Sequence, residues 1–296
     1  MKKYSTNPEG VGSPAMKKFT QLLFSVLVFL FIFGPVQSYG VERVVRISDG
    51  KVITFMQMIQ EIRDSNIIFV GEAHNNTEHH AAQLQVIKSL EALPVTIAVG
   101  LEMFKADSQN VLNHWLAGRL GDEAFIETYL DNWGYPWQYY RDIFLYAKQR
   151  RISMIGLNVS PEITQKVSQN GFSSLTPGEL KQLPPQIGCD IDERYMDYIK
   201  KAYEFHGMQS KSFIHFCEAQ MIWDKVMAWN LAKYLTHNPG TTVVVLAGTG
   251  HAWKRGIPEQ LRRQYEFRYK VVLPEIPDRI NTSTITTEDA DYILLQ

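Results

Sequence analysis

At residues 67–80 the chain reads IIFVGEAHNNTEHH. Ile67 to Val70 are apolar and mostly β-branched, which suits a strand buried on both faces. Gly71 breaks the run, Glu72–Ala73–His74 follow, and Asn75–Asn76–Thr77 supply a turn and a cap for the next helix. A carboxylate and an imidazole therefore stand where a strand hands over to a helix, the edge of an α/β sheet at which ligands bind. The pattern returns near the far end, where Val243 to Leu246 run into Ala247–Gly248–Thr249–Gly250–His251. Both strands close on Gly-x-x-His, at Gly71/His74 and Gly248/His251.

Upstream, Val44–Ile47 reads as a short strand, Asp49–Gly50 as a hairpin turn, and Phe55 to Arg63 as a helix by the spacing of Phe55, Met58, Ile59 and Ile62. Downstream, a helix over His80 to Leu93 leads to a second buried strand, Val95 to Val99, which ends on Gly100–Leu101–Glu102–Met103–Phe104. A polar helical stretch at 107–131 and an aromatic one at 132–146 precede a third strand, Ser153–Asn158. The spacing therefore predicts an α/β fold with a mostly parallel sheet flanked by helices. Residues from about 160 to 211 break the rhythm with Thr176–Pro177–Gly178, Pro184–Pro185 and a tyrosine-bearing helix from about Asp192 to Phe205. They read as a helical insertion or lid, of a size that is usually functional. A long helix from Ser212 to Leu235 returns the chain to the second Gly-x-x-His strand. A strand at Tyr269–Leu273 and an edge strand at Tyr292–Leu295 complete the sheet.

The first forty residues read as an address. Lys17 and Lys18 precede an apolar run from Leu22 to Phe33, then Gly34–Pro35 and a small-x-small site at Ser38–Tyr39–Gly40, the layout of an export signal. Met1 or Met16 is the start. The run is short for a membrane span, so residues 1–40 are a cleaved leader or an N-terminal anchor, and 41–296 are one α/β domain. That leader holds four of the 30 Lys and Arg residues and one of the 31 Asp and Glu residues, so the remainder is acidic. An acidic exported domain is the wrong electrostatics for a nucleic-acid binder. Cys189 and Cys217 are too few for a disulfide framework, and the choice between one bridge and two free thiols stays open.

The strand ends deliver Glu72, His74, Glu102 and His251, with Asn158 from the third strand. Two chemistries suit that set. Either the histidines and carboxylates hold a divalent metal ion, with Glu72 as general base on a bound water, or Glu–His pairs move protons without a metal. Asp224 falls on the apolar stripe of the long helix, where a carboxylate needs a partner: a loop histidine, Arg141 or Arg194.

GEAH at 71–74, GLEMF at 100–104, AQMIWDKVMA at 219–228 and GTGHAWKRGIP at 248–258 resemble the ChaN-like haem-binding uptake proteins. These belong to a wider superfamily that includes Tiki proteases, TraB-like proteins and erythromycin esterases. The resemblance covers roughly residues 60–275. It implies an α/β core with a helical insertion, export to the periplasm or cell envelope, and a role in iron uptake through haem. It further implies a homodimer that holds haem between protomers with tyrosine on the iron, working beside an outer-membrane haem receptor or envelope transport component. In this chain the tyrosines on offer are Tyr195 and Tyr203, with His206 beside them. The esterase and protease branches imply the alternative, an envelope hydrolase using Glu72, His74, Glu102 and His251.

Overall fold

The apolar run at Ile67 forms a strand, β3 (Ile67–Glu72), buried at every position. A strand covered on both faces needs hydrogen-bonded neighbours on both edges, and it has them in β6 (Thr241–Gly248) and β7 (Tyr269–Pro274), both parallel to it. β4 (Thr96–Lys105) pairs parallel with β6, and β5 (Ser153–Asn158) parallel with β4. On the other side β8 (Tyr292–Leu294) runs parallel to β7 and antiparallel to β1 (Arg43–Arg46), which closes a hairpin with β2 (Lys51–Thr54). The sheet order is β2-β1-β8-β7-β3-β6-β4-β5. The computed structural model describes residues 40–185, 187–188 and 213–295, together with 193, 196–197 and 199–200.

Two features of the sheet differ from the sequence expectation. β8 occupies an interior slot, not an edge; the edges are β2 and β5. β4 continues past Val99 through Gly100 to Lys105, so Glu102 stands within the carboxyl-terminal part of the strand.

Strand alternation divides the core in two. Ile68 and Val70 face a layer that includes α1 (Phe55–Ile62), α2 (Thr77–Glu91), α3 (Gln109–Leu116), α4 (Asp122–Asn132) and α5 (Trp137–Arg150). Ile67 and Phe69 face the opposite layer, which contains much of the long helix and the β8 region. The polar helical stretch at 107–131 is two helices, parted where Gly118 and Gly121 punctuate the sequence. Gly118 turns between them at φ +70°, a conformation glycine adopts without steric cost. Each buries aromatic groups, with Trp115 stacked on Phe125 at 3.9 Å between centroids.

The insertion begins with α6 (Pro161–Asn170) and α7 (Pro177–Leu180). Ile163 and Val167 pack on Ala219, Ile222 and Val226 of α8 (Phe213–His237). Arg194, Tyr195, Tyr203, His206 and Cys189 lie outside the described residues, whereas Cys217 is a buried free thiol. After β6 come α9 (Thr249–Ala252) and α10 (Ile257–Arg262). Among the described residues no helix is long and apolar enough to cross a membrane.

Candidate functional site

β3, β6 and β4 are adjacent, so their carboxyl ends meet. Glu72 is in register with Gly248, and Glu102 follows Leu101, which pairs with Leu246. Glu72 and Glu102 are almost fully buried, as is Asp224 on α8. Buried carboxylates survive only with partners, and each has them. Glu72 Oε1 accepts from His74 Nδ1 at 2.8 Å and from the Tyr140 hydroxyl. His80 Nε2 stands 3.1 Å from Glu72 Oε2, close enough for charge attraction but at an angle that makes no hydrogen bond. Glu102 Oε2 accepts from the Gly248 N–H at 2.6 Å, and Asn158 Nδ2 donates to the Glu102 carbonyl.

Asp224 Oδ1 lies 2.7 Å from His251 Nδ1. Two carboxylate-backed imidazoles thus face each other, Glu72–His74 and Asp224–His251. Their outer nitrogens converge on one atom: Glu102 Oε1 is 4.0 Å from His74 Nε2 and 3.7 Å from His251 Nε2. The carboxylate at each Nδ1 fixes the tautomer and turns Nε2 toward Glu102.

Electrostatics follow from this arrangement. Burial disfavours charge on Glu72, but the contacts with His74 and His80 hold its carboxyl down at about 2. Burial also opposes charge on His251, yet Glu102 and Asp224 push it up to about 9. His74 is raised by Glu102 and Glu72 against the same burial penalty. His79 goes the other way, to about 4, chiefly through burial. Its Nδ1 accepts the Ala73 N–H at 2.9 Å, so it braces the loop as a neutral ring.

The glycines explain why the motif repeats. A Cβ on Gly248 would come within 2.8 Å of His74 Cε1 and 3.0 Å of Nε2. The glycine of the second motif therefore makes room for the histidine of the first. A Cβ on Gly71 would meet Leu273 at 2.8 Å and Thr249 at 3.2 Å, so the first glycine admits the second motif's turn.

Aromatic rings wall the cluster. Trp133 and Tyr135 lie 5.0 and 5.1 Å from the His74 ring, and Trp223 lies 5.8 Å from His251. Sequence reasoning missed Tyr140, His80 and these rings as neighbours of the site. The sequence shows only the aromatic density at 132–146 that holds Trp133, Tyr135 and Tyr140. Arg141 is not a partner of Asp224: it is exposed and pairs with Asp142. A metal at His74, His251, Glu72 and Glu102 finds no support. Glu72 Oε1 is occupied by His74 and Tyr140, and among the described residues no group of three His, Cys, Asp or Glu side chains is arranged to hold an ion.

The family model described as haem-binding uptake, Tiki superfamily, ChaN matches residues 58–261, well over half of the chain. The chain belongs to the ChaN family. ChaN of Campylobacter jejuni, solved with cofacially bound haem, superposes at a TM-score of 0.68 with 19% identity, over 85% of this chain and 95% of that one. At that identity the likeness speaks for the ChaN fold. An erythromycin esterase mutant, EreC in its open conformation, matches at a TM-score of 0.46 with 14% identity, over 74% of this chain and 72% of that one. The type III effector HopBA1 matches at 0.47 with 13% identity, over 80% and 90%. No curated protein matches this ChaN-family chain.

Proposed function

We propose that this protein is an exported haem carrier of the cell envelope that serves haem uptake, binds haem between two protomers, and hands it to or from an envelope receptor. Family membership across residues 58–261 is the observation that carries this reading. The cofacial haem of the Campylobacter jejuni protein supports the two-protomer arrangement. Bound haem would supply an iron centre that accepts an axial tyrosinate.

His74 and His251 are engaged at the strand ends. His74 and His251 each have Nδ1 held by a carboxylate and Nε2 turned toward Glu102. The ligand this reading expects is Tyr195 or Tyr203, with His206 as polar neighbour. Residues 1–40 are assigned to export. Haemin titration of the protein tests the reading. Saturable growth of a Soret band with tyrosinate charge-transfer bands, abolished in Tyr195→Phe or Tyr203→Phe, is expected. Non-saturating binding that both variants leave unchanged would overturn it.

A second reading rests on the convergence of two carboxylate-backed imidazoles on Glu102: acid–base hydrolysis of an ester or peptide at the strand ends, without a metal step. His251 is protonated at neutral pH and placed to give a proton to a leaving group, while Glu102 is placed to take one from water. Glu102→Gln should then reduce ester hydrolysis by about a hundredfold or more. An unchanged rate removes this reading and leaves the haem reading intact.

A further inference from the structure

Glu72 Oε2 and both ring nitrogens of His80 are buried without a hydrogen bond, although Oε2 and Nε2 stand 3.1 Å apart. His80 is 3% exposed, and its ring centroid lies 4.2 Å from that of Tyr140 and 5.9 Å from that of Tyr139, both on α5. Folded proteins keep few buried polar atoms in that condition, because each forfeits its hydration without replacement. A small turn of the His80 ring would pair Nε2 with Oε2.

The neighbours of His80 on α2 reach in the same direction. Gln83 Nε2 donates to the Val70 carbonyl at 3.1 Å, and His79 Nδ1 accepts from the Ala73 N–H at 2.9 Å. Val70, Glu72 and Ala73 are thus met by Gln83, His80 and His79, all from the first turns of one helix. His80 and Gln83 are three apart and share a helical face. Asn76 accepts from the Glu78 and His79 N–H groups, which fixes where that helix begins.

We infer that His80 is a positioning residue for the first motif: a proton on its Nε2 holds Glu72 Oε2, so that one carboxylate serves two imidazoles. Oε1 is then turned to His74 and to the Tyr140 hydroxyl. A carboxylate accepts at both oxygens, and a donor at one draws charge away from the other. His80 therefore moderates the hold of Glu72 on the His74 proton. This role is the same whether the strand ends act on an ester or belong to a haem carrier.

Histidine-selective ¹⁵N NMR of the full chain tests it ring by ring. In the wild type His80 Nε2 should carry a proton that exchanges slowly with water and whose resonance moves as His74 titrates. His80→Phe removes the donor but leaves Glu72 ionised where His74 titrates, since its carboxyl is held down at about 2. With its charge shared between fewer donors, Glu72 should then tighten proton binding at His74 by about tenfold, the scale of one hydrogen bond to a charged group. His80→Gln returns an N–H donor to the same side of Glu72 and should bring His74 back toward its wild-type titration. A wild-type His80 whose Nε2 carries no proton, or whose resonance ignores the His74 titration, overturns the role; both readings are made on the wild type and do not depend on how a variant folds. An unmoved His74 in folded His80→Phe overturns it too, as does a His80→Gln protein whose His74 behaves as in His80→Phe.

Discussion

Glu72 is held at its Oε1 by one ring and one phenol, and the phenol is the part that can be removed cleanly. Tyr140→Phe keeps the packing and deletes one donor to a buried carboxylate. Hydrogen bonds to charged groups contribute about 1.5–3 kcal/mol, so a loss of about 2 kcal/mol is expected in urea melts. A loss near zero would mean that water replaces the hydroxyl. His251 gives a pH dependence of defined sign. Its folded value of about 9 lies above the ordinary imidazole value. The stabilisation from Asp224 and Glu102 is therefore full below pH 6.5 and is lost as the pH rises through 9. Urea midpoints of the wild type should fall between pH 6.5 and 9.5, and His251→Gln should flatten that decline. A parallel decline in both proteins would place the titration on another group. Glu72, held at about 2, acts at the opposite end: its contribution is present above the ordinary carboxylate range and disappears as the pH falls through 2.

At the scale of elements, the two Gly-x-x-His motifs form one device, because each glycine leaves room for part of the other motif. Gly248→Ala tests this without disturbing backbone conformation, since φ there is −53°. The added methyl has His74 at 2.8 Å, so the ring must move off Glu102. A cost of about 1–3 kcal/mol is expected for such overpacking, together with a His74 titration that shifts toward the ordinary imidazole value, read by NMR. An unmoved His74 titration would show that the ring has slack. Gly156→Ala should be worse, because its Cβ would meet the Lys105 carbonyl oxygen at a distance no flexible side chain can relieve. The element scale is also where the sequence was most readable. β3, β5 and β6 stand out as β-branched or apolar runs, and α1 as a periodic face behind Thr54. The end of β4 was misread because Gly100 and a charged Glu102 look like the close of a strand. The charge is tolerated inside it because the Gly248 N–H, 146 positions away in sequence, reaches Glu102. Tyr140 was invisible for the same reason, being 68 positions from Glu72. Spacing along the chain reports which face a residue occupies, not which distant group completes its hydrogen bonds.

On the scale of the whole molecule, the sheet joins its two ends through its shortest strand. Ile293 is fully buried, and its strand pairs with β1 on one side and β7 on the other. Ile293→Asp buries an unpaired carboxylate there and should cost about 3 kcal/mol or more. Hydrogen exchange is the discriminating measurement: Val44 and Val45 amides should lose protection while Phe69 and Val245 keep theirs. Equal loss everywhere would mean that the hairpin and the central strands open as one unit. The position of β8 escaped sequence reading because three residues carry no periodicity long enough to distinguish an edge from an interior strand.

That placement sets the order of synthesis against the order of assembly. The β1–β2 hairpin is made first, yet it meets the rest of the sheet only across the strand made last. While the chain is still being produced, β7 presents a bare edge and the hairpin, packed on α1, has no strand of the main sheet beside it. Such an edge is open to pairing with other chains. A polypeptide built this way completes its sheet only once β8 has been made and freed, and until then it depends on its surroundings to keep that edge unpaired.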